Sequence, residues 1–253
     1  MKGMIFAAGL GTRLRPLTDN MPKALVPVGG VPMLEWVMRR LIDAGCDDVT
    51  VNVHHFAPMV VDFLRAKGDF GITVHVSDES GMLLDTGGGV LHARRWLDGD
   101  GPFIVHNADI LTDIDLRSMY DAHLASGNAA TLLAGERETS RYLLADPSGR
   151  LRGWTNISTG EVRPAGLAYD PSIHRKVAFG GVHVISPAIF DRLAAFGADS
   201  AKFSIIPFYL SVCDSLAIGT YTPAGRYMWH DIGKPQSLAA AEGALKTLGQ
   251  VNL

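Results

Sequence analysis

The chain has 253 residues, 47% of them hydrophobic and 19% charged, and its 23 basic and 26 acidic side chains leave a formal charge of −3. That composition excludes disorder, and a chain of this size buries roughly 70% of its extended surface without disulfide or metal staples. No long basic run and no membrane-length apolar stretch occurs, so neither a nucleic-acid partner nor a membrane span is expected. Cys46 and Cys213 stand in no metal-ligand spacing; they read as packing residues in a reducing, cytoplasmic setting, where the Asn156-Ile157-Ser158 sequon is accidental.

The apolar run Met1–Ala8 meets glycines, Arg13 and Arg15 at once, so it reads as a buried strand, Met4–Ala8, rather than a signal peptide. Met33, Trp36, Val37, Arg40 and Leu41 recur at helical spacing and predict the first helix. A strand over Asp48–His54, a helix carrying Val60, Phe63 and Leu64, a strand over Ile72–Ser77, a helix over Val90–Leu97 and a strand over Phe103–Asn107 continue the alternation. His54-His55 reads as loop packing, and Asp113 as a cap for a helix starting near Asp115. Further strands are expected over Ala129–Leu133, Val177–Ile185 and Leu216–Thr222, hairpin insertions within Tyr142–Asp170, and a closing helix over Gln236–Leu248. The class is α/β: a single Rossmann-like α/β/α sandwich over residues 1–253, with a mixed, mostly parallel sheet and hairpin insertions in its C-terminal half.

The first strand runs into Ala8-Gly9-Leu10-Gly11-Thr12-Arg13-Leu14-Arg15-Pro16-Leu17-Thr18, then Pro22-Lys23-Ala24-Leu25. Glycines directly after a strand let backbone amides approach phosphate oxygens, and residues 1–23 carry Lys2, Arg13, Arg15 and Lys23 against Asp19 alone. An anion is the natural occupant. The spacing is neither a dinucleotide fingerprint, since Leu14 holds the third glycine position, nor a P-loop. It resembles instead the signature of the sugar-1-phosphate nucleotidyltransferases, G-x-G-T-R-L-x-P-x-T followed by P-K-P-L, departing only at Ala24, which the related phosphocholine cytidylyltransferases share.

Three further stretches extend the resemblance. Leu84-Asp85-Thr86-Gly87-Gly88-Gly89-Val90 resembles the E-T-G-G-G-I block of short uridylyl- and guanylyltransferases, and three glycines at a helix start would let a base or ribose lie on bare backbone. The strand ending Asn107-Ala108-Asp109 puts a carboxylate at its carboxyl end, where α/β sheets bind ligands. Trp229-His230-Asp231-Ile232-Gly233-Lys234 resembles the W-x-D-[IV]-G-T element, with Lys234 in place of threonine. No Glu-Lys pair of the longer relatives is present, and Val177–Val182 is similar to the matching strand of the short enzymes.

The resemblance implies a GT-A-like nucleotidyltransferase with a nucleotide-binding half (1–113) and a sugar-binding, closing half (114–253). It implies Asp109 and Asp231 as ligands of Mg2+, Arg13, Lys23 and Asp109 as catalytic residues, and Ala8, Gly9, Leu10, Gly11, Thr12, Arg13, Lys23, Gly87 and Gly88 around the nucleotide. Asn107, Asn156, Gly180 and Gly181 are the expected sugar contacts. The implied partners are a nucleoside triphosphate, UTP favoured, and a sugar 1-phosphate, N-acetylmuramate 1-phosphate favoured, in a monomer or small homo-oligomer. Guanylyl transfer to mannose or heptose 1-phosphate, cytidylyl transfer to phosphocholine, and a non-catalytic nucleotide-sugar sensor are the alternatives; a sensor has no need of Arg13, Lys23, Asp109 and Asp231 together.

Overall fold

In the computed structural model, which describes residues 1–247, strand β1 (Lys2–Phe6) is the axis of a 10-stranded sheet. Its Met4 and Ile5 point to opposite faces and seed separate core clusters. A ribbon of β2 (Pro27–Val28) and β3 (Val31–Pro32) leads into helix α1 (Met33–Asp43), which buries Leu34, Val37, Met38 and Leu41 on one stripe. Then follow β4 (Asp48–Val53), α2 (Ala57–Ala66), β5 (Thr73–Asp78), α3 (Asp85–His92), α4 (Arg94–Leu97), β6 (Phe103–Asn107) and β7 (Ile110–Thr112). Strands β6, β1, β4 and β5 lie side by side and parallel. The chain leaves β1 toward both edges, so the crevice beyond the carboxyl ends of β1 and β6 is a topological switch point.

The second half runs through α5 (Leu116–Ser126), β8 (Ala130–Gly135), β9 (Arg141–Ala145), β10 (Leu151–Asn156), β11 (Glu161–Arg163), β12 (Arg175–Ile185), α6 (Phe190–Phe196), α7 (Ile205–Val212), β13 (Ile218–Tyr221), β14 (Trp229–Asp231) and α8 (Pro235–Thr247). Strand β12 joins the sheet antiparallel to β6 and carries both β8 and the β9–β10–β11 meander, the expected hairpin insertions. The sheet is therefore parallel on one side of β6 and largely antiparallel on the other. An apolar run such as β8, buried along its whole length, marks burial on both faces but not strand direction.

Boundaries differ from the sequence reading where side chains compete with the ladder. Strand β1 ends at Phe6, because the Ala7 and Ala8 amides turn to the Asn52 side chain. The helix expected over Val90–Leu97 starts earlier and breaks at Ala93, with Gly87, Gly88 and Gly89 inside α3 rather than ahead of it. The closing helix begins at Pro235, a favourable first-turn position for proline, and Leu248, its expected last residue, lies outside the described residues. Cys46 and Cys213 are free, buried core residues, and burial pushes the Cys46 thiol up to about 12. Among the described residues no helix is long and apolar enough to cross a membrane.

Candidate active site

The loop after β1 is shaped from both sides. Asn52 Oδ1 accepts the Ala7 amide at 2.8 Å and the Ala8 amide at 3.3 Å, while Asn52 Nδ2 donates to Glu79 Oε1 at 2.7 Å. Glu79 Oε2 in turn accepts the Leu84 amide at 3.0 Å, so two buried polar side chains tie three segments to one crevice. At Gly11, φ is +66° and a Cβ would stand 2.9 Å from Thr18 Cγ2 and 3.0 Å from Lys23 Cβ, so the turn demands glycine. Thr18 Oγ1 donates to the Gly11 carbonyl at 2.8 Å, and Leu14, fully buried, anchors the turn where a dinucleotide loop would have glycine. Ala8, Gly9, Leu10, Gly11, Thr12 and Arg13 thus wall a cleft of about 500 Å³ whose rim includes Lys23, Asn107 and Asp109.

Asp109 follows β6 and Asp231 ends β14. Antiparallel pairing places Asp231 opposite Ile110, and the Ile232 amide donates to the Asp109 carbonyl at 2.8 Å. The Asp109 carboxylate is ion-paired with Lys23 Nζ. Asp231 Oδ1 is buried without a hydrogen-bond partner among the described residues, and burial raises the Asp231 pKa, reinforced by the Asp109 charge and opposed by Lys23, Arg13 and Lys234. A Cβ on Gly233 would lie 2.7 Å from both Arg13 Nη2 and Asp231 Oδ1, so the missing side chain leaves room for both groups on one side of the crevice. An orphaned carboxylate oxygen beside a second carboxylate suits a hard divalent cation. No group of three or more candidate ligand side chains occurs among the described residues, so the remaining positions would fall to water and phosphate oxygens.

Asp113 is structural, but not as expected. The cap of α5 is Asp115, whose carboxylate accepts from Ser118 N at 2.9 Å and Ser118 Oγ at 2.6 Å. Asp113 instead accepts the Met228 amide at 2.6 Å and staples the end of β7 to the approach to β14. His54 packs as expected, its Nδ1 donating to the Glu79 carbonyl at 2.6 Å.

A second cleft, of about 1020 Å³, shares Arg13, Asn107 and Asp109 with the first. Asn156, Gly181 and Trp229 line it together with Arg137, Arg141 and Lys234. Gly181 sits at φ +75° in the irregularity where β12 shifts register against β8, and a Cβ there would come 2.7 Å from Ile110 and 3.0 Å from Asn107 Nδ2. Gly180 stands behind this wall. Its Cβ position is closed by Leu133 at 2.5 Å, and its carbonyl accepts Trp229 Nε1 at 2.9 Å. Arg137 completes the joint, its Nη2 donating to the Phe179 carbonyl at 2.7 Å while the guanidinium lies 3.6 Å from the Trp229 ring centroid.

The structure therefore gathers Ala8 to Arg13, Lys23, Asn107, Asp109, Asn156, Gly181 and Asp231 around one bipartite crevice. Gly87 and Gly88 lie behind it. Their amides donate to the Phe203 carbonyl at 2.9 and 3.1 Å, and a Cβ on Gly88 would fall 2.1 Å from the Ala201 carbonyl oxygen. They are contact points for the 201–204 loop, which leaves Asp85, Thr86 and Lys202 to face the first cleft. Sequence reasoning missed Asn52, Glu79, Arg137, Arg141 and Lys202; a lone asparagine inside the apolar Asp48–His54 run was the available signal for the first.

The family model described as nucleotidyl transferase matches residues 2–247. A Caulobacter vibrioides protein named N-acetylmuramate alpha-1-phosphate uridylyltransferase is 33% identical over 256 residues, covering 96% of each chain. A mannose-1-phosphate guanyltransferase of Pichia angusta is 36% identical over 145 residues, or 56% of this chain and 40% of that one. In fold, the crystal structure of a putative glucose-1-phosphate thymidylyltransferase from Bacillus anthracis superposes with a TM-score of 0.78 at 19% identity, covering 100% of this chain and 97% of that one. The chain belongs to the nucleotidyl transferase family, as an enzyme of the sugar-1-phosphate nucleotidyltransferase type.

Proposed function

We propose that this enzyme transfers a uridylyl group from UTP to N-acetylmuramate 1-phosphate, with Mg2+ as cofactor and pyrophosphate as leaving group, in the cytoplasm as a monomer or small homo-oligomer. The observation that carries this reading is the pair of clefts meeting at Arg13, Asn107 and Asp109. One cleft is walled by backbone amides suited to a triphosphate, and the other is roomy and lined with cations suited to a phosphorylated sugar. The full-length match to the Caulobacter relative supports the choice of nucleotide and acceptor.

The chemistry needs no protein nucleophile, because the acceptor phosphate is itself one. The protein must align it with the α-phosphorus and offset repulsion between two polyanions. Asp109 and Asp231 would hold Mg2+, which supplies countercharge to the phosphates when bound. Arg13, beside Asp231, is placed to steady the departing pyrophosphate, and Lys23 to neutralise the α-phosphate once it exchanges Asp109 for that ligand. Guanylyl transfer to mannose 1-phosphate is the second reading, favoured by the Pichia match over 56% of this chain.

Pyrophosphate release measured over a grid of nucleoside triphosphates against sugar 1-phosphates and phosphocholine decides between them. UTP with N-acetylmuramate 1-phosphate is the expected best pair. A preference of more than tenfold for GTP would overturn the base assignment, and absence of pyrophosphate release with every pair would overturn the reaction.

A further inference from the structure

The face that β9, β10 and β11 turn to the second cleft is a small ordered array. Antiparallel register sets Arg141 and Glu161 on either side of Asn156, and Leu143 and Arg163 on either side of Trp154. Alternate residues of a strand share a face, so these six side chains form one surface, and all six line the cleft. Within it the two arginines differ. Arg163 is already engaged, its Nε donating to Glu161 Oε1 at 2.7 Å and its guanidinium lying 5.2 Å from the Trp154 ring centroid. Arg141, by contrast, makes no side-chain ion pair or hydrogen bond among the described residues, although Glu138 faces the same cleft.

On the reaction proposed above, the acceptor's phosphate meets the triphosphate at the residues the two clefts share, Arg13, Asn107 and Asp109, and Arg137 and Lys234 line the same cleft as further cations. The cation on the hairpin array is thus surplus to phosphate binding. An exposed guanidinium across from an amide donor on the same strand face is a match for a carboxylate appended to a sugar ring. We propose that Arg141, with Asn156 beside it, binds a carboxylate on the acceptor sugar and so selects acidic sugar 1-phosphates over neutral ones. This rests on the reaction proposed above and names the acceptor class that the same site takes.

The test compares two acceptors that differ by the acidic substituent, N-acetylmuramate 1-phosphate and N-acetylglucosamine 1-phosphate, in steady-state kinetics with UTP. Arg141→Met is expected to raise KM for the acidic acceptor about 10- to 100-fold, the loss of one charge-assisted contact, and to leave KM for the neutral acceptor and for UTP within about twofold. Arg141→Lys should recover part of the preference, and Arg163→Met should leave it intact. Because Arg141 is exposed, the melting temperature of the free variant should be unchanged, which a structural role would not allow. Equal penalties on both acceptors, a preference retained in Arg141→Met, or its loss in Arg163→Met would each overturn the inference while leaving the reaction standing. A wild-type enzyme that turns over neither acceptor would overturn the reaction, and this inference with it.

Discussion

The two clefts are built in different ways. The first is made of main chain: a glycine turn at the carboxyl end of a parallel strand, its start tied down by Asn52 and its curvature fixed by Gly11 and Leu14. The second is made of side chains on an antiparallel meander, with Arg137, Arg141, Trp154 and Asn156 as its furniture. Backbone geometry constrains residue type at each step, so the first cleft can accept little change. Side chains standing on a pleated surface can be exchanged one at a time, which makes the second the natural seat of acceptor choice.

The largest effect should come from the residues of each cleft that flank the shared Asp109. Asp231→Asn is expected to fold, to need much more Mg2+ and to lose at least about 10² in kcat, and Lys23→Ala to lose about 10² in kcat/KM. Near-normal turnover of Asp231→Asn at ordinary Mg2+ would show that the seam between clefts is not the reacting centre. A smaller effect should separate glycines that face ligand from glycines that pack. Gly88→Ala drives a methyl onto the Ala201 carbonyl and should lower stability in urea by about 1–3 kcal/mol, whereas Gly9→Ala, which meets nothing within 4 Å, should leave stability unchanged and weaken UTP binding. Equal urea midpoints for the two variants would erase that distinction.

The join between the parallel and antiparallel parts of the sheet can be probed by acid. His106 on β6 and His183 on β12 flank it, and burial holds them down to about 4 and about 3. Both rings are neutral in the fold, while in the unfolded chain they gain protons below about 6.5. Stability should therefore fall as pH drops from about 6.5 toward 4, by up to about 1.4 kcal/mol per ring per pH unit. Thermal melts of His183→Gln should show a shallower acid slope than wild type; an identical slope would clear His183 of this role. The smallest expected effect is Asn156→Ala, a severalfold rise in acceptor KM with UTP KM unchanged.

What could be read from the sequence follows the same division. The turn at Gly9 to Thr18 and the carboxylates Asp109 and Asp231 stand in short runs whose spacing is set by backbone, and the structure brings them together. Gly87 and Gly88 pack against a loop, a role the sequence could not show, because a glycine required by a neighbouring loop looks the same in sequence as one required by a ligand; the contact with Ala201 and Phe203 comes from far along the chain. Arg141 gave no signal at all. Its significance depends on lying across from Asn156 and on lacking the partner that Arg163 has, both properties of pairing rather than of spacing.

The short pairing of β7 with β14 joins residues separated by nearly half the chain, and the Asp113 staple to Met228 locks it. During synthesis on the ribosome, the amide cradle and Asp109 emerge long before Asp231 does. A chain that stops short of β14 therefore lacks the second carboxylate of the crevice. Asp109 and Asp231 come together only when the returning strand pairs with β7, so the crevice is closed by one of the last segments of the chain to be made.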